Sequence, residues 1–284
     1  MDPTLRLPQT AAEFATPRPG APATRPAATV VLLRDGAEGL EVHLQRRPPT
    51  MAFAAGRAVF PGGGVDPTDS QAPARWTGPS PAEWAEALDA DEVRAGAIVV
   101  AAVRETFEEC GVLLASADGA SPDLTAPEWQ AARRALAAHE ISLGDLLDEY
   151  GLTLRSDLLR PWAVWVTPEF EKKRFHTWFL AARLPDGQEA TGGTSESVKE
   201  EWIGVTAAIR SADAGELPLM PPQYCTMLEL YGAASTDELF DAPRDVLTVR
   251  PRVAIDDEGP YLQLPDDLVE LGRRVGAAMY PQTL

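Results

Sequence analysis

Three glutamates near the middle of the chain have the spacing of a metal-binding carboxylate cluster. Glu105, Glu108 and Glu109 lie within residues 104–112, which read R-E-T-F-E-E-C-G-V. Side chains three and four positions apart share one face of a helix, so these carboxylates would repel one another without a cation between them. Hard divalent cations prefer such oxygen ligands. The pattern therefore predicts a Mg²⁺ or Mn²⁺ site, because no thiolate or paired imidazole accompanies the carboxylates.

The same helix also carries the residues that would hold the carboxylates in place. Val99, Val103 and Phe107 recur at helical spacing and predict a stripe that faces the core, so one face should be buried and the other should hold charge. Arg104 cannot be a ligand in a cation site, and we expect its guanidinium to fork onto one carboxylate and orient it. A solvated, glutamate-rich helix end is the alternative interpretation.

A glycine corner precedes this helix in the sequence. Gly62, Gly63 and Gly64 follow a short apolar stretch at 58–60. Glycine allows a positive φ and a close approach of the backbone to a ligand, so we expect the Gly63 carbonyl among the metal ligands. An ordinary tight turn is the alternative, and the glutamates downstream favour the ligand interpretation.

Together these residues resemble the signature of the Nudix hydrolases, G-x5-E-x7-R-E-U-x-E-E-x-G-U, in which U is apolar. Gly63 stands at the first glycine, Asp69 at the first glutamate and Arg104 at the arginine. Residues 70–103 separate Asp69 from Arg104, which is far more than the x7 of the signature, so the chain carries an insertion there. The resemblance implies an α/β fold, a Nudix-type α/β/α sandwich with a mixed sheet, and metal-dependent cleavage of a diphosphate.

Further motifs resemble the branch of this family that cleaves coenzyme A and its thioesters, which includes mitochondrial and peroxisomal members. The motifs are Gly56 before F-P-G-G, the long insertion, the Thr167-Pro168 turn before Arg174-Phe175, and Pro221-Pro222-Gln223-Tyr224. The resemblance implies hydrolysis of coenzyme A or acyl-coenzyme A to 3′,5′-ADP and (acyl-)phosphopantetheine. Ala52 stands where the fuller coenzyme A motif has an arginine. Another nucleoside diphosphate derivative, such as ADP-ribose or NADH, and a non-catalytic nucleotide-binding module therefore remain as alternatives.

The expected substrate-binding residues combine cations with the motif residues. The cations available to hold phosphate groups are Lys172, Lys173, Arg174, Arg46, Arg47 and Arg57. Of these we expect Arg57 and Arg174 to hold them. The complete expected set is Arg57, Gly62, Gly63, Arg174, Phe175 and Gln223.

A general base is expected in the loop before the strand that carries Trp202. Many Nudix enzymes take a further glutamate from this loop, and Glu196 is the candidate here. Glu189, Glu200 and Glu201 are its competitors.

Charge and composition exclude several classes of partner. The formal charge is −18, from 25 basic and 43 acidic side chains, so long-range attraction to nucleic acid or an anionic membrane has the wrong sign. Only two cysteines occur, Cys110 and Cys225, which favours a reducing compartment over a disulfide framework. No apolar run long enough to span a membrane and no secretory signal is found, so a cytoplasmic location is expected. The oligomeric state stays open between a monomer and a homodimer.

The elements that must position the site follow from the hydrophobic pattern. We predict a flexible leader at 1–28 and one elaborated domain at 29–284, with an insertion at 70–95, a helical addition at 115–150 and a C-terminal extension at 232–284. The predicted strands include 28–34, 40–46, 112–115 and a tail hairpin of 246–255 with 261–264. The predicted helix starts are Ser80, Thr125, Thr206 and Asp266, with a long helix at 92–110.

Overall fold

Strands and helices alternate along the computed structural model, which describes residues 5–7, 20–50, 54–71, 73, 75–192 and 198–278. In chain order the strands are β1 (Leu5–Arg6), β2 (Arg25–Gly36), β3 (Gly39–Arg46), β4 (Ala58–Val59), β5 (Gly62–Gly64), β6 (Trp76–Thr77), β7 (Ala115–Ser116), β8 (Thr153–Arg155), β9 (Leu159–Val166), β10 (Phe175–Arg183), β11 (Lys199–Gly204), β12 (Leu247–Val249), β13 (Arg252–Asp256) and β14 (Gly259–Gln263). The helices are α1 (Pro81–Leu88), α2 (Glu92–Cys110), α3 (Pro127–Ala137), α4 (Leu143–Glu149), α5 (Val205–Asp213), α6 (Pro221–Leu230), α7 (Thr236–Asp241) and α8 (Asp266–Arg274). Short 3₁₀ turns lie at Pro67–Ser70 and Ser156–Leu158. None of the helices in the described ranges combines the length and the apolar character needed to cross a membrane.

A mixed sheet at the centre of the fold has helices on both sides. Its strands lie in the order β11–β3–β2–β10–β9–β12, with β4 added to β3 and β5 added to β2. β10 is parallel to β2 and β12 is parallel to β9, whereas β3 is antiparallel to both β2 and β11. This arrangement confirms the predicted α/β sandwich with a mixed sheet.

Strand β2 separates two hydrophobic cores. Val30 and Leu32 pack in the core that contains α2, while Val31 and Leu33 pack in the core that contains α5 and α6. Because successive side chains of a strand point to opposite faces, only an uninterrupted apolar run can serve both cores. The structure therefore agrees with the prediction of a strand buried on both faces.

Helix α2 begins and ends where the sequence predicts, but its surroundings differ. The Asp91 side chain accepts a hydrogen bond from the Arg94 amide at the N-terminus, and Gly111 ends the helix with a φ of 68°. The predicted stripe of Val99, Val103 and Phe107 is buried, and the face that carries the glutamates is buried as well, because every residue from Ala95 to Cys110 is buried. The added helix α3 packs against α2, where Trp129 lies edge-on to Phe107 with ring centroids 6.4 Å apart.

The insertion contains the helix predicted to start at Ser80, and it forms a helical arm. Ser80 caps α1 in a capping box with Glu83, as the sequence pattern indicates. Trp84 and Leu88 are buried against the rest of the core, and the Trp178 indole N–H donates to the Leu88 carbonyl at 3.3 Å. The arm therefore packs on the core and returns the chain to the start of α2.

Several predicted boundaries in the helical addition are corrected. Helix α3 begins at Pro127 after Ala126, because the Thr125 hydroxyl and amide are both bonded to Asp123 instead of capping the helix. The strand predicted at 112–115 is reduced to β7, which joins a small sheet with β6 and β8.

The termini also differ from the prediction. The predicted leader to residue 28 overlaps β2, which begins at Arg25, and Leu5–Arg6 pairs with β14. The predicted tail hairpin is shorter, since β13 pairs with β14 in a separate sheet while β12 joins the central sheet beside β9. Helix α5 begins at Val205 with Gly204 as its N-cap, so the predicted cap Thr206 lies inside the helix.

Candidate active site

Arg104, near the C-terminal end of α2, binds three carboxylates. Its Nε donates to Asp69 Oδ1 at 2.9 Å and its Nη2 to Asp69 Oδ2 at 3.0 Å. Its Nη1 donates to Glu105 Oε1 at 2.8 Å and to Glu108 Oε1 at 3.2 Å. Burial disfavours the charged guanidinium, but the hydrogen bond to Asp69 and the neighbouring negative charges outweigh that effect and raise the pKa of Arg104. The arginine is therefore a fixed cation that orients its carboxylate neighbours.

Asp69 reaches Arg104 although the insertion separates them in sequence. It lies in the 3₁₀ turn Pro67–Ser70, where its Oδ2 accepts a hydrogen bond from the Asp66 amide at 2.7 Å. Only 2% of Asp69 is exposed, so its charge depends on the guanidinium for compensation. The insertion therefore begins and ends close to the same place, so that Asp69 and Arg104 on either side of it stay in contact.

The glycine corner is packed directly against the carboxylates. The Gly62 amide donates to Glu109 Oε2 at 2.8 Å, and the Gly64 carbonyl accepts from Arg104 Nη2 at 2.9 Å. Gly62 has a φ of 151°, and a Cβ there would lie 2.3 Å from the Ala28 carbonyl oxygen. A Cβ on Gly63 would lie 2.4 Å from Glu105 Oε1. A side chain at position 62 would clash with the backbone of β2, and one at position 63 would clash with the Glu105 carboxylate, so both positions require glycine.

The three glutamates are buried with an excess of negative charge. Glu105 is 8% exposed, Glu108 9% and Glu109 7%. Burial raises the pKa of Glu105 to about 7, although the charge of Arg104 opposes this shift. Burial likewise raises the pKa of Glu108. Such a cluster favours the uptake of a cation or a proton near neutral pH.

A cavity of about 1030 Å³ opens beside the glutamates. Glu105, Glu108 and Glu109 contribute to its lining. Aromatic residues form much of its apolar wall, namely Trp165, Phe170, Phe175 and Phe179. The cavity therefore combines anionic groups with a large apolar surface.

The structure brings only part of the expected substrate-binding set to this cavity. Gly62, Gly63, Phe175 and Gln223 line it, whereas neither Arg57 nor Arg174 does. Arg174 instead donates to the carbonyls of Thr167 at 3.0 Å and Pro22 at 2.8 Å, which fixes the turn before β10. The cavity arginines in the described part of the chain are Arg47, Arg133 and Arg134.

The general base predicted at Glu196 lies outside the described residues. Among its competitors, Glu189 is exposed and Glu201 pairs with Lys199 at 2.7 Å on the surface. The third, Glu200, is nearly buried with its Oε2 3.7 Å from His43 Nε2, and it does not line the cavity.

Sequence reasoning missed the contribution of α3. Gln130, Arg133 and Arg134 line the cavity, as does His139, which is exposed and lies 3.6 Å from Asp66. No pattern within α3 distinguishes these side chains from an ordinary polar helix face. Their function depends on where the helix packs.

The donor set suits a hard divalent cation, although the carboxylates do not converge as a metal cage. Among the described residues, no three His, Cys, Asp or Glu side chains meet around one point that could hold an ion. Arg104 draws one oxygen of Glu105 and one of Glu108 towards itself. Both carboxylates keep a second oxygen that makes no hydrogen bond within the described ranges, and oxygen-only donors in acid excess match Mg²⁺ or Mn²⁺.

Comparisons with known proteins point to one family. A family model described as the NUDT19 Nudix domain matches residues 81–230. Nudix hydrolase 7 of Caenorhabditis elegans is 29% identical over 193 residues, which cover 66% of this chain and 55% of that protein. The human acyl-coenzyme A diphosphatase NUDT19 is 28% identical over 267 residues, which cover 81% of this chain and 68% of that protein.

A solved structure supports the same relationship. The crystal structure of a NUDIX hydrolase from Alicyclobacillus acidocaldarius superposes with a TM-score of 0.66 and 28% sequence identity. The match covers 78% of this chain and 98% of that chain.

Proposed function

The chain belongs to the Nudix hydrolases and is a pyrophosphohydrolase, and we propose that its substrate is coenzyme A or an acyl-coenzyme A. Water would attack one phosphorus of the diphosphate, and the bridging oxygen would leave with the electron pair of the broken P–O bond. The products would be 3′,5′-ADP and phosphopantetheine, or acyl-phosphopantetheine from a thioester. The observation that most supports this proposal is that the buried carboxylate cluster and the aromatic wall line the same cavity.

The carboxylate cluster supports the catalytic half of this proposal. Glu105, Glu108 and Glu109, with the Gly63 carbonyl, would hold Mg²⁺ or Mn²⁺. When bound, the cation supplies charge compensation for the diphosphate and lowers the pKa of a water molecule. Arg104 keeps Glu105 and Glu108 in fixed orientations, and the Gly62 amide does the same for Glu109. Preorganised in this way, the glutamates need little rearrangement during the reaction.

The aromatic wall supports the substrate half. Pantetheine and its acyl groups are long and largely apolar, and Trp165, Phe170 and Phe179 offer them a matching surface. Phe175 and Gln223 line the same cavity and would contact the substrate. The name of the human relative, an acyl-coenzyme A diphosphatase, points in the same direction.

A substrate screen tests the proposal. Coenzyme A, acetyl- and palmitoyl-coenzyme A, ADP-ribose and NADH would each be incubated with the protein and either Mg²⁺ or Mn²⁺, and both products would be quantified by chromatography. We expect the coenzyme A species to have the highest kcat/KM. Strong turnover of ADP-ribose or NADH without turnover of coenzyme A species would reject the substrate, and ligand binding without turnover of any compound would indicate a non-catalytic module.

A further inference from the structure

We infer that Arg133, on the added helix α3, binds an anionic oxygen of the substrate's diphosphate. This inference rests on the proposed cleavage of a diphosphate but not on which diphosphate is cleaved. It assigns a substrate-binding role to a segment that lies outside the glutamate motif.

The guanidinium of Arg133 is held in a fixed position at the end of α2. Its Nε donates to the Glu108 carbonyl at 2.8 Å, and its Nη1 donates to the Thr191 carbonyl at 3.0 Å. The residue is 5% exposed. Two hydrogen bonds to backbone carbonyls fix the plane of the group, so little rotamer entropy remains to be lost when a ligand binds.

The third nitrogen of the guanidinium, Nη2, has no acceptor among the residues that the structure describes. Nη2 is buried and makes no hydrogen bond to any residue in the described ranges, and no carboxylate there lies within ion-pair distance of Arg133. A buried cationic donor without an acceptor is destabilising, and an anionic oxygen would remove that penalty.

The cavity supplies the place for such an oxygen. Arg133 lines it together with Glu105, Glu108 and Glu109, so a diphosphate beside the glutamates would come within reach of the arginine. Arg104 cannot fill this role, because its nitrogens are engaged by Asp69, two glutamates and the Gly64 carbonyl. Arg133 is therefore a buried cation of the cavity whose Nη2 remains available to a ligand.

A purely structural role for Arg133 accounts for less of the geometry. The Glu108 carbonyl lies in the last turn of α2, where carbonyls lack partners within the helix, and Arg133 caps it. That role uses Nε and, through Thr191, Nη1. It leaves the buried Nη2 unexplained.

Gln188 offers a matched control for this structural role. Its amide group bonds the Leu113 amide at 2.9 Å and the Leu113 carbonyl at 3.0 Å, just beyond the end of α2. It is 7% exposed and does not line the cavity. Gln188→Met would therefore loosen the same junction without removing a cation from the cavity.

The test is calorimetric binding of methylenediphosphonate, a non-hydrolysable diphosphate analogue, to protein saturated with Mn²⁺. We expect Arg133→Met to raise its Kd by about ten- to a hundredfold, the range of one hydrogen bond to a charged group. The Kd for Mn²⁺ alone should stay unchanged or fall, because a positive charge near the glutamates has been removed. Gln188→Met should leave both constants unchanged while it lowers the Tm.

Three outcomes would overturn the inference. These are a wild-type Kd for the analogue in Arg133→Met, an equal loss in Gln188→Met, or a parallel loss of Mn²⁺ affinity. If Arg133→Met does not fold, Arg133→Lys replaces it, because lysine keeps the charge but cannot hold both carbonyls and an added oxygen. A wild-type Kd for the analogue in Arg133→Lys would equally contradict the role of Nη2. Since every candidate substrate contains a diphosphate, failure of coenzyme A as the substrate would leave this result intact.

Discussion

Arg104 and Arg244 are both largely buried against carboxylates, yet their surroundings differ in charge balance. Arg244 pairs with one carboxylate, Glu229, at 2.6 Å, and it stacks on Trp162 with its guanidinium carbon 3.6 Å from the ring centroid. Arg104 meets three carboxylates, with Glu109 close by in the next turn. In a pair of one arginine and one carboxylate the charges cancel, so a bound cation would not stabilise it further. An excess of carboxylates around one arginine is stabilised by a bound cation. Charge balance therefore separates a structural ion pair from a site prepared for a cation.

The largest effect that tests this comparison is expected on the catalytic side. Glu109→Gln keeps an acceptor for the Gly62 amide but removes a negative charge, so kcat should fall by ~10⁴-fold, the equivalent of several kcal/mol of lost metal assistance. The Tm without metal should stay the same or rise, because repulsion within the cluster decreases. Steady-state kinetics and thermal unfolding in EDTA measure the two quantities. An unchanged kcat would remove Glu109 from the proposed metal site.

Arg104→Met should give the next largest effect, this time on stability. It leaves Asp69, Glu105 and Glu108 buried without their counter-charge, so the free energy of unfolding should fall by about 3–5 kcal/mol in EDTA. Saturating Mn²⁺ should restore part of this loss, because the cation can take over the compensation. Urea unfolding with and without Mn²⁺ measures both values. A loss that Mn²⁺ does not change would mean that the glutamates do not bind the ion.

Glu229→Gln examines the balanced pair and should have a smaller effect. The amide keeps the shape of the carboxylate but loses the charge that Arg244 and the Trp162 indole N–H both contact, so stability should fall by about 2 kcal/mol. Neither the kcat nor the stabilisation by Mn²⁺ should change. A metal-dependent stability in this variant that differed from the wild type would contradict the separation between the two regions.

How much the sequence could predict also differs between the two regions. The glutamates, Arg104 and the glycine corner form a local pattern, since helical spacing alone places three carboxylates on one face. The burial of that face could not be predicted, because it depends on the glycine corner and on helix α3, whose packing is set by tertiary contacts. Arg133 and the Arg244–Glu229 pair were missed for the same reason.

The fold shows the same limit. The core strand β2 follows from its apolar run, and α1 and α2 follow from their capping residues at Ser80 and Asp91. The strand β12 was assigned to the tail hairpin, because a three-residue strand carries no signal of its partner. The excess of carboxylates beside Arg104 can be predicted from the sequence. Arg57 and Arg174, which the sequence predicts to bind phosphate, do not line the cavity.

Per pH unit, the smallest expected effect concerns pH and the metal-free cluster. Burial raises the pKa of Glu105 from 4.5 to about 7, so the folded protein binds a proton there that the unfolded chain releases above about pH 4.5. In EDTA, the contribution of Glu105 to the free energy of unfolding should therefore be fully present below pH 4.5. It should be lost as the pH rises to 7, by at most about 1.4 kcal/mol per pH unit. Urea unfolding between pH 5 and 8 measures the slope, and Glu105→Gln should remove this component because its amide does not titrate. Arg244 and Glu229 lie outside this cluster, so Glu229→Gln should keep the pH-dependent stability that comes from Glu105. An identical slope in wild type and Glu105→Gln would show that the buried carboxylates at Arg104 do not take up a proton in place of a cation.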